Sequence, residues 1–432
     1  MYSKILVANR GINAMKIINT CKELGIKTVA VYSEVDKNSL HIKYADEAYC
    51  IGPRELENSY LDIYRIISVA TLSKVDAIHP GIGFLSENSI MAKICEDYNI
   101  NFIGPNVKAL EIIENKVRVK KLISNIGVPI IPGINEEVLL YEDALNLTRN
   151  YEYPIMLKSV YGGGGFGIKK VKNKDELLKA FKEAQFESEL TMGKKELYIE
   201  KALENIKHIE VQIIGDKYGN ISSLGNRDCT LQVNNQKIVE QAPASSISNN
   251  TEEIINEYAI KIMRELNYDS IGTVEFLVDE NNNIYFLEIN PRLQVEHGVT
   301  EMITGINLVE EQIKISHGEK INYDKRGVVL SGVALECRIN FDNGVNSSNG
   351  ELEELIISSS SFGLIVESAI YSGYKFNPYN DPLLMKIITY SKSQKRTIEK
   401  MSCALDNLII KGINTNLDYQ KNIINRLKEM VN

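Results

Sequence analysis

Residues 272–296 read GTVEFLVDENNNIYFLEINPRLQVE, in which two strongly apolar runs flank a polar turn. Asparagine tolerates left-handed backbone, so we expect a β-hairpin with a two-residue turn at Asn281-Asn282. That register places Glu275 directly opposite Glu288, with their Cβ atoms about 5 Å apart. Two carboxylates at that distance repel each other unless a cation lies between them, and hard divalent metals prefer oxygen ligands. The hairpin therefore predicts a metal site, with two solvated glutamates as the alternative.

Polar residues recur at every second position from the second strand of this hairpin onward. They are Glu288, Asn290, Arg292, Gln294 and Glu296. In an extended chain these side chains share one side, so Asn290 adds a third oxygen to the metal site. A guanidinium, an amide and a carboxylate would line the same wall. Pro291 is compatible with an edge strand that it bends, and an ordinary amphipathic edge strand is the alternative.

A second feature is a run of glycines that is costly in conformational entropy. It reads Gly162-Gly163-Gly164-Gly165-Phe166-Gly167. The strand patterns IMLKSV and IKKV continue on its two sides, whereas a dinucleotide-binding loop should open a helix. We therefore expect a hairpin flap whose bare amides approach a phosphate, with Lys158 supplying the countercharge. A flexible linker is the alternative.

The rest of the chain divides into three patterns. Over the first ~110 residues short apolar strands alternate with helices, which predicts a parallel, doubly wound sheet. A smaller α+β pattern over residues 131–203 has the size of a lid. From His208 onward the pattern is mostly antiparallel. The expected elements there are strands at 208–214, 272–278 and 284–290 and helices near 251–266 and 300–316.

Composition narrows the class of protein. At ~150 residues per domain, 432 residues suggest about three domains. The formal charge of −8, from 49 basic and 57 acidic residues, argues against nonspecific binding to nucleic acid or membrane. The six cysteines are scattered without a CxxC pair and the five histidines without HxxxH spacing, which fits a reducing cytoplasm. The N-terminus lacks a signal-peptide pattern, and no apolar run approaches the ~18 residues of a membrane span.

Taken together, these motifs resemble the biotin carboxylase subunit of biotin-dependent carboxylases, within the ATP-grasp superfamily. The similarity runs nearly end to end. Its segments are ILVANRGINAMKII (5–18), HPGIGFLSEN (79–88), GGGGFG (162–167), HIEVQIIGD (208–216), RDCTLQ (227–232), QKIVEQAPA (236–244), EINPRLQVEHGVTEMITG (288–305), ALECRIN (334–340) and LIIKGINTN (408–416). The resemblance implies a mixed α/β and α+β protein with an ATP-grasp fold. A Rossmann-like domain would cover 1–114, an ATP-grasp domain 115–330 with a lid at about 131–203, and a C-terminal α/β region 331–432.

The resemblance also implies an activity. ATP would phosphorylate bicarbonate to carboxyphosphate, and the carboxyl group would pass to N1 of biotin on a biotin carboxyl carrier protein. The implied cofactors are ATP and two Mg²⁺ or Mn²⁺ ions, and carboxyltransferase subunits are further expected partners. Acetyl-CoA carboxylase, in fatty acid synthesis, is the expected complex. The alternatives are another acyl-CoA, pyruvate or urea carboxylase, a different ATP-grasp ligase, and a degenerate nucleotide-binding paralogue.

By the same resemblance, motif residues acquire expected roles. Those at the nucleotide phosphates would be Lys116, Lys158, the 162–167 glycines and His208, and those at the adenine Glu200, Lys201 and Leu203, with Gln232 also in the cofactor site. The metal ligands would be Glu275, Glu288 and Asn290. Bicarbonate would meet Lys237, Arg292, Gln294 and Val295. Glu296 would be the general base, and Arg338 would stabilise the biotin enolate; a structural ion pair is the alternative for Arg338.

The chain departs from the family pattern at several positions. They are Phe166 for an arginine, Val233, Asn234 and Asn235 for two basic residues and a histidine, Ile82 for a tyrosine, Pro291 for a threonine, Gly298 for a proline, and the 342–350 loop, which lacks a Phe-Leu-Pro-Ser-Pro run. The metal and bicarbonate positions are intact, so weak nucleotide affinity or an unusual carrier preference is the expected consequence. Asn19 and Ile365 stand where the bacterial homodimer usually presents charged contacts, so the resemblance does not decide whether this chain forms that homodimer.

One further motif imitates a biotin attachment site. Leu384-Met385-Lys386-Ile387 contains the Met-Lys pair of such sites. Carrier domains place that lysine at an exposed hairpin tip, whereas here the chain continues into IITY, which has the pattern of a strand. We therefore expect Lys386 to carry no biotin.

Overall fold

The computed structural model describes most of the chain. The described residues are 1–162, 167–233, 236–323, 328–341, 350–357, 361–376 and 382–431. Expectations for Gly163, Gly164, Gly165, Phe166, Asn234, Asn235 and residues 342–349 lie outside them.

The N-terminal region forms the expected parallel sheet, with strand order β3-β2-β1-β4-β5. Its strands are β1 (Lys4–Val7), β2 (Lys27–Ser33), β3 (Glu47–Gly52), β4 (Ala77–His79) and β5 (Asn101–Phe102). Its helices are α1 (Gly11–Glu23), α2 (Leu40–Tyr44), α3 (Ile63–Ser73), α4 (Ser89–Asp97) and α5 (Val107–Ile113). Ile5 and Val7 pack into one core cluster and Leu6 into another, so β1 is covered on both faces. This explains its continuous apolar run.

A second, four-stranded antiparallel sheet, with order β6-β9-β7-β8, lies within the segment expected to be a lid. After α6 (Lys116–Asn125) its elements are β6 (Gly133–Val138), α7 (Tyr141–Leu147), β7 (Ile155–Ser159), β8 (Ile168–Val171), α8 (Leu177–Met192) and β9 (Leu197–Lys201). Strands β7 and β8 pair antiparallel, which confirms that the glycine run joins two strands of a hairpin. Gly162 and Gly167 have φ of +82° and +66°, a region that favours glycine.

The third sheet has eight strands in the order β14-β13-β10-β11-β12-β15-β18-β17 and is antiparallel throughout. The strands from here to the C-terminus are β10 (Lys207–Gly215), β11 (Ile221–Val233), β12 (Gln236–Ala242), β13 (Ile271–Val278), β14 (Ile284–Asn290), β15 (Val333–Asn340), β16 (Glu354–Ile356), β17 (Leu364–Ser368), β18 (Leu383–Ser391) and β19 (Ile409–Lys411). The helices are α9 (Asn249–Glu265), α10 (His297–Thr304), α11 (Leu308–Ser316), α12 (Gln394–Asp406) and α13 (Leu417–Met430). Strands β16 and β19 form a separate pair. The central sheet crosses the expected boundary at 330/331, and the three-domain division stays a prediction.

The β13–β14 hairpin confirms one expectation and corrects another. Glu275 pairs with Glu288 as predicted. The prediction of a two-residue turn is wrong. The turn spans residues 279–283, and the Asp279 carboxylate accepts backbone hydrogen bonds within it. A bulge between Glu275 and Phe276 shifts the register and brings the two glutamates opposite each other.

Two other expectations fail at points where the backbone turns. The helix predicted over 300–316 is two helices, because Gly305, with φ +72°, ends α10. The extended row predicted to reach Glu296 stops at Asn290, since Glu296 is the N-cap of α10 with φ −79° and ψ 11°. Local patterns also missed β6, α7, β11 and β12, the short helices α2 and α5, and, beyond residue 350, β16, β17, β19, α12 and α13.

Among the described residues, every helix is too short or too polar to pass through a lipid bilayer. All six cysteines are free thiols, of which Cys50 and Cys403 are exposed.

Candidate active site

Neighbouring strands of the central sheet bring buried charges together around one lysine. The Lys237 Nζ, on β12, lies 2.5 Å from Glu210 Oε2 and 2.9 Å from Glu275 Oε1. It lies 2.6 Å from Glu296 Oε1, at the start of α10. Burial lowers the pKa of Lys237, but the three carboxylates raise it well above its usual value. The ammonium therefore stays charged and holds three elements at one point.

Glu296 lies between two cations and is 1% exposed. Besides Lys237, its carboxylate accepts a 3.0 Å hydrogen bond from the Arg338 guanidinium on β15. Burial raises the pKa of Glu296, but Lys237 and Arg338 lower it well below the usual range. Arg338 also pairs with Glu240, whose pKa burial raises to about 7 although Arg338 lowers it. Glu296 is thus ionised near neutral pH.

His208 and Gln232 extend this cluster along β10 and β11. The His208 Nε2 lies 2.6 Å from Glu275 Oε2, and the Gln232 Nε2 lies 2.7 Å from His208 Nδ1. Burial lowers the pKa of His208, but the Glu275 carboxylate outweighs it, so the net shift is upward. Burial raises the pKa of Glu275, and Lys237 and His208 together lower it below its ordinary value.

The predicted metal ligands lie on adjacent strands. The Asn290 amide donates a 2.8 Å hydrogen bond to Glu275 Oε1, and the facing Glu288 is the more exposed of the two glutamates. Among the described side chains, the ion-pair partner of Glu288 is Lys116, with its Nζ 3.6 Å from Oε2. Two carboxylates and an amide oxygen are ligands suited to a hard divalent cation, so these residues fit the predicted ion.

Two buried hydrogen-bond donors near Glu296 lack an acceptor among the described residues. They are Gln294 Nε2 and Arg338 Nε. An unsatisfied buried donor is costly, and an oxyanion would supply acceptors for both. Arg292 stands nearby, donating through Nε to Glu87 Oε1 at 2.6 Å and through its terminal nitrogen to Asn290 Oδ1 at 3.3 Å. The predicted bicarbonate residues are therefore consistent with an anion site.

A second charged group joins the lid to this cluster. Lys158 Nζ, on β7, lies 2.6 Å from Glu200 Oε2 on β9, and Lys120 of α6 contacts the same carboxylate. The Lys116 N–H, at the start of α6, donates to the Val160 carbonyl at 3.1 Å. Because Lys116 also approaches Glu288, the predicted phosphate residues adjoin the predicted metal ligands. Lys201 is exposed and Leu203 half-buried just beyond, at the end of β9.

The sequence interpretation missed several of these charges. They are Glu87, Lys120, Glu210, Arg227 and Glu240. Arg227 is fully buried, pairs with Glu210, and donates to Thr273 and Thr300 at 2.9 Å each. Glu210 lies two residues after His208 on the same strand face, so the alternation argument could have found it. Glu240 and Arg227 carry no such local signal.

Lys386 is 1% exposed and lies within β18, unlike a carrier lysine at an exposed hairpin tip. Its Nζ donates a 2.7 Å hydrogen bond to the carbonyl of Val295.

Comparison with known proteins finds similarity along nearly the whole chain. Three family models match it: "Biotin carboxylase, N-terminal domain" over residues 1–110, "Carbamoyl-phosphate synthase L chain, ATP binding domain" over 115–323 and "Biotin carboxylase C-terminal domain" over 336–430. Biotin carboxylase 1 of Bacillus subtilis is 41% identical over 428 residues, covering 98% of this chain and 95% of that protein. The 2-oxoglutarate carboxylase small subunit of Hydrogenobacter thermophilus is 42% identical, covering 98% and 90%.

A solved structure agrees with these relatives. The biotin carboxylase domain dimer of H. thermophilus 2-oxoglutarate carboxylase, in complex with MgADP, ADP and bicarbonate, matches with a TM-score of 0.95 at 41% identity. The match covers 98% of this chain and 94% of that one. The chain belongs to the biotin carboxylase family, whose members are ATP-dependent ligases with an ATP-grasp fold. The expected family and fold are thereby confirmed.

Proposed function

We propose that this chain carboxylates biotin on a carrier protein, using bicarbonate that ATP activates as carboxyphosphate. The observation that carries the proposal is the placement of Glu296. Its carboxylate is buried, ionised and flanked by Lys237 and Arg338, beside the two donors that lack acceptors. This arrangement suits a base that takes a proton from a bound oxyanion acid.

In the first step, Gln294, Arg292 and Lys237 orient bicarbonate and Glu296 accepts its proton. The freed oxygen forms a bond to the γ-phosphorus of ATP, the bond to the bridging oxygen breaks, and ADP leaves. Lys116, Lys158 and His208 neutralise charge on the phosphates, which is the main requirement of phosphoryl transfer. Glu275, Glu288 and Asn290 would hold the divalent cation, which when bound neutralises phosphate charge.

In the second step, the carboxyl group passes from carboxyphosphate to N1 of biotin, and phosphate is released. As N1 passes its proton to the released phosphate, negative charge develops on the ureido oxygen of biotin. Arg338 is suited to stabilise that charge, since its guanidinium stays cationic and presents a fork of N–H donors. The glycine flap between β7 and β8 would limit hydrolysis of carboxyphosphate by excluding water.

For the complex, we infer an acetyl-CoA carboxylase, with a biotin carboxyl carrier protein and carboxyltransferase subunits as partners. This rests on the resemblance of the sequence motifs, and a relative named biotin carboxylase 1, without a keto acid in its name, is compatible with it. The second candidate is a keto-acid carboxylase, which the 2-oxoglutarate carboxylase subunit favours at similar identity. Reconstitution with carrier and carboxyltransferase, comparing acetyl-CoA with 2-oxoglutarate as acceptor, separates the two.

We infer a homodimer and a cytoplasmic location as well. The related H. thermophilus domain is a dimer, and Ile365 on β17 is 42% exposed. Six free thiols are in keeping with a reducing compartment. Sedimentation velocity tests the dimer, and a monomer at micromolar concentration would contradict it.

The test of the activity is phosphate release from ATP with and without bicarbonate and free biotin. Glu296→Gln keeps the size of the side chain but removes the base, so bicarbonate-dependent release should fall by ~10²–10⁴-fold. ATP binding by calorimetry should persist in the variant. Glu310→Gln on α11, paired there with Lys314, is the matched control and should behave as the parent.

Near-native bicarbonate-dependent release by Glu296→Gln would refute its role as base. A parent protein without any bicarbonate dependence would favour the degenerate paralogue instead.

A further inference from the structure

We propose that Lys386 is a positioning residue that holds the Gln294–Glu296 segment in register for bicarbonate, an inference that rests on the proposed function. Lys386 lies on β18, 91 residues along the chain from the segment it contacts. Its Nζ donates a 2.7 Å hydrogen bond to the carbonyl of Val295, which belongs to the peptide bond that leads into Glu296.

The backbone of this segment is irregular, so its carbonyls need partners outside a strand ladder. The Gln294 carbonyl accepts from His297 N and Nδ1, at 3.3 and 2.8 Å. The Glu296 carbonyl accepts from Val299 N at 3.3 Å. Both partners come from the first turn of α10. The Val295 carbonyl, between them, instead takes its hydrogen bond from the distant Lys386, which therefore ties the segment to the central sheet.

Carboxylates hold the Lys386 ammonium in place. Its Nζ lies 2.6 Å from Glu367 Oε2 on β17 and 3.9 Å from Glu336 Oε2 on β15. Burial lowers the pKa of Lys386, but these two carboxylates raise it by more than burial lowers it, so the lysine remains a charged donor. Glu367 also lies 3.6 Å from Lys16 Nζ on α1, and Lys16 pairs with Glu301 of α10 at 2.7 Å. The donor is thus fixed from several elements that surround α10.

Loss of this hydrogen bond should act on bicarbonate rather than on ATP. Gln294 and Glu296 lie on the segment itself, and misplacement of a reacting group by about 1 Å can cost 10²-fold in rate. The residues expected at the nucleotide, Lys116, Lys158 and His208, lie on α6, β7 and β10, away from β18. A purely structural role would instead lower stability without separating the two substrates.

The experiment uses three variants of the full chain. Lys386→Met removes the donor and keeps much of the side-chain volume. Lys386→Met combined with Glu367→Gln removes both partners of the shorter buried ion pair, so less uncompensated buried charge is left than in the single variant, should that one fail to fold. Met385→Ala, on the same strand and packed in another cluster with α12 and α13, is the control for lost stability.

We expect the KM for bicarbonate to rise about tenfold to a hundredfold in both Lys386 variants, the range for a lost hydrogen bond to a charged group. The KM for ATP should change less than about threefold. Met385→Ala should lower the melting temperature and leave both KM values near those of the parent.

Two results would overturn the assignment. One is restoration of the parent KM for bicarbonate in the double variant, which would reduce Lys386 to a counter-ion for Glu367. The other is an equal rise in both KM values. Absence of bicarbonate-dependent turnover in the parent would instead refute the proposed function, so the two failures are distinguishable.

Discussion

The N-terminal sheet and the central sheet both contain fully buried strand residues, but those residues are of different kinds. In β1 of the N-terminal sheet, Ile5, Leu6 and Val7 are fully buried. In the central sheet, Glu210 and Arg227 are just as inaccessible. Apolar burial stabilises a fold by about 25 cal/mol per Å², whereas buried charges often do no better than apolar residues of similar volume. The first sheet supplies stability, and the second retains charges that stability alone does not require, as expected of an active site.

The largest effect expected in the central sheet follows Glu288→Ala. Metal ions contribute several kcal/mol to phosphoryl transfer, so metal-dependent ATP turnover should fall by roughly 10³-fold or more. The fold should remain intact by circular dichroism, because Glu288 is partly exposed and its described partner is 3.6 Å away. Glu280→Ala, an exposed turn residue of the same hairpin, is the control. Unchanged turnover across a Mg²⁺ titration would refute the ligand assignment.

A smaller and more selective effect should follow Arg338→Ala. Carboxylation of free biotin should fall by about 10²–10³-fold, the cost of removing one group that stabilises a developing oxyanion. ATP affinity, measured by calorimetry, should stay close to that of the parent. Arg396→Ala provides the comparison, because the Arg396 side chain is 65% exposed and pairs with Glu399. A parallel loss of ATP affinity would mean that Arg338 is a structural ion-pair residue.

The smallest effect on catalysis is expected in the N-terminal sheet. Leu6→Ala creates a cavity in a packed core and should lower the free energy of unfolding by about 2–5 kcal/mol. Denaturant melts measure that loss, and kcat and both KM values per folded molecule should remain those of the parent. If Leu6→Ala altered the KM for bicarbonate while leaving stability unchanged, the assignment of stability to the N-terminal sheet and of catalysis to the central sheet would be wrong.

Much of the fold follows from local periodicity. The N-terminal strands were predictable because most are apolar runs and helical patterns separate several of them. Strands β7 and β8 were predictable because strand patterns flank the glycine run. The split between α10 and α11 was missed, although Gly305 is a local signal for it. The predicted two-residue turn at Asn281-Asn282 was wrong. Adjacent asparagines suit a two-residue turn, but they suit the longer turn at residues 279–283 as well. The bulge that corrects the register depends on how the strands pack.

The site was only partly predictable, because local patterns reveal contacts within one hairpin but not contacts between strands that are distant in sequence. Glu275, Glu288 and Asn290 lie within one hairpin, so pairing arguments could place them. The partners of Lys237 were not accessible in this way, since Glu210 and Glu296 lie 27 and 59 residues from it. Arg227 and Glu240 look like ordinary strand residues until the sheet order brings them against the cluster.

The sequence by itself determined the parallel N-terminal sheet, the flap hairpin, the facing glutamates and the resemblance to biotin carboxylases. These depend on side-chain period and on motif spacing, which are properties of short stretches of chain. Only the tertiary structure decided that Lys237 joins three carboxylates, that Glu296 is ionised between two cations, and that Lys386 holds the Val295 carbonyl. Those contacts depend on the order of strands in the central sheet. Burial by that sheet also removes the solvent that would otherwise screen the charges.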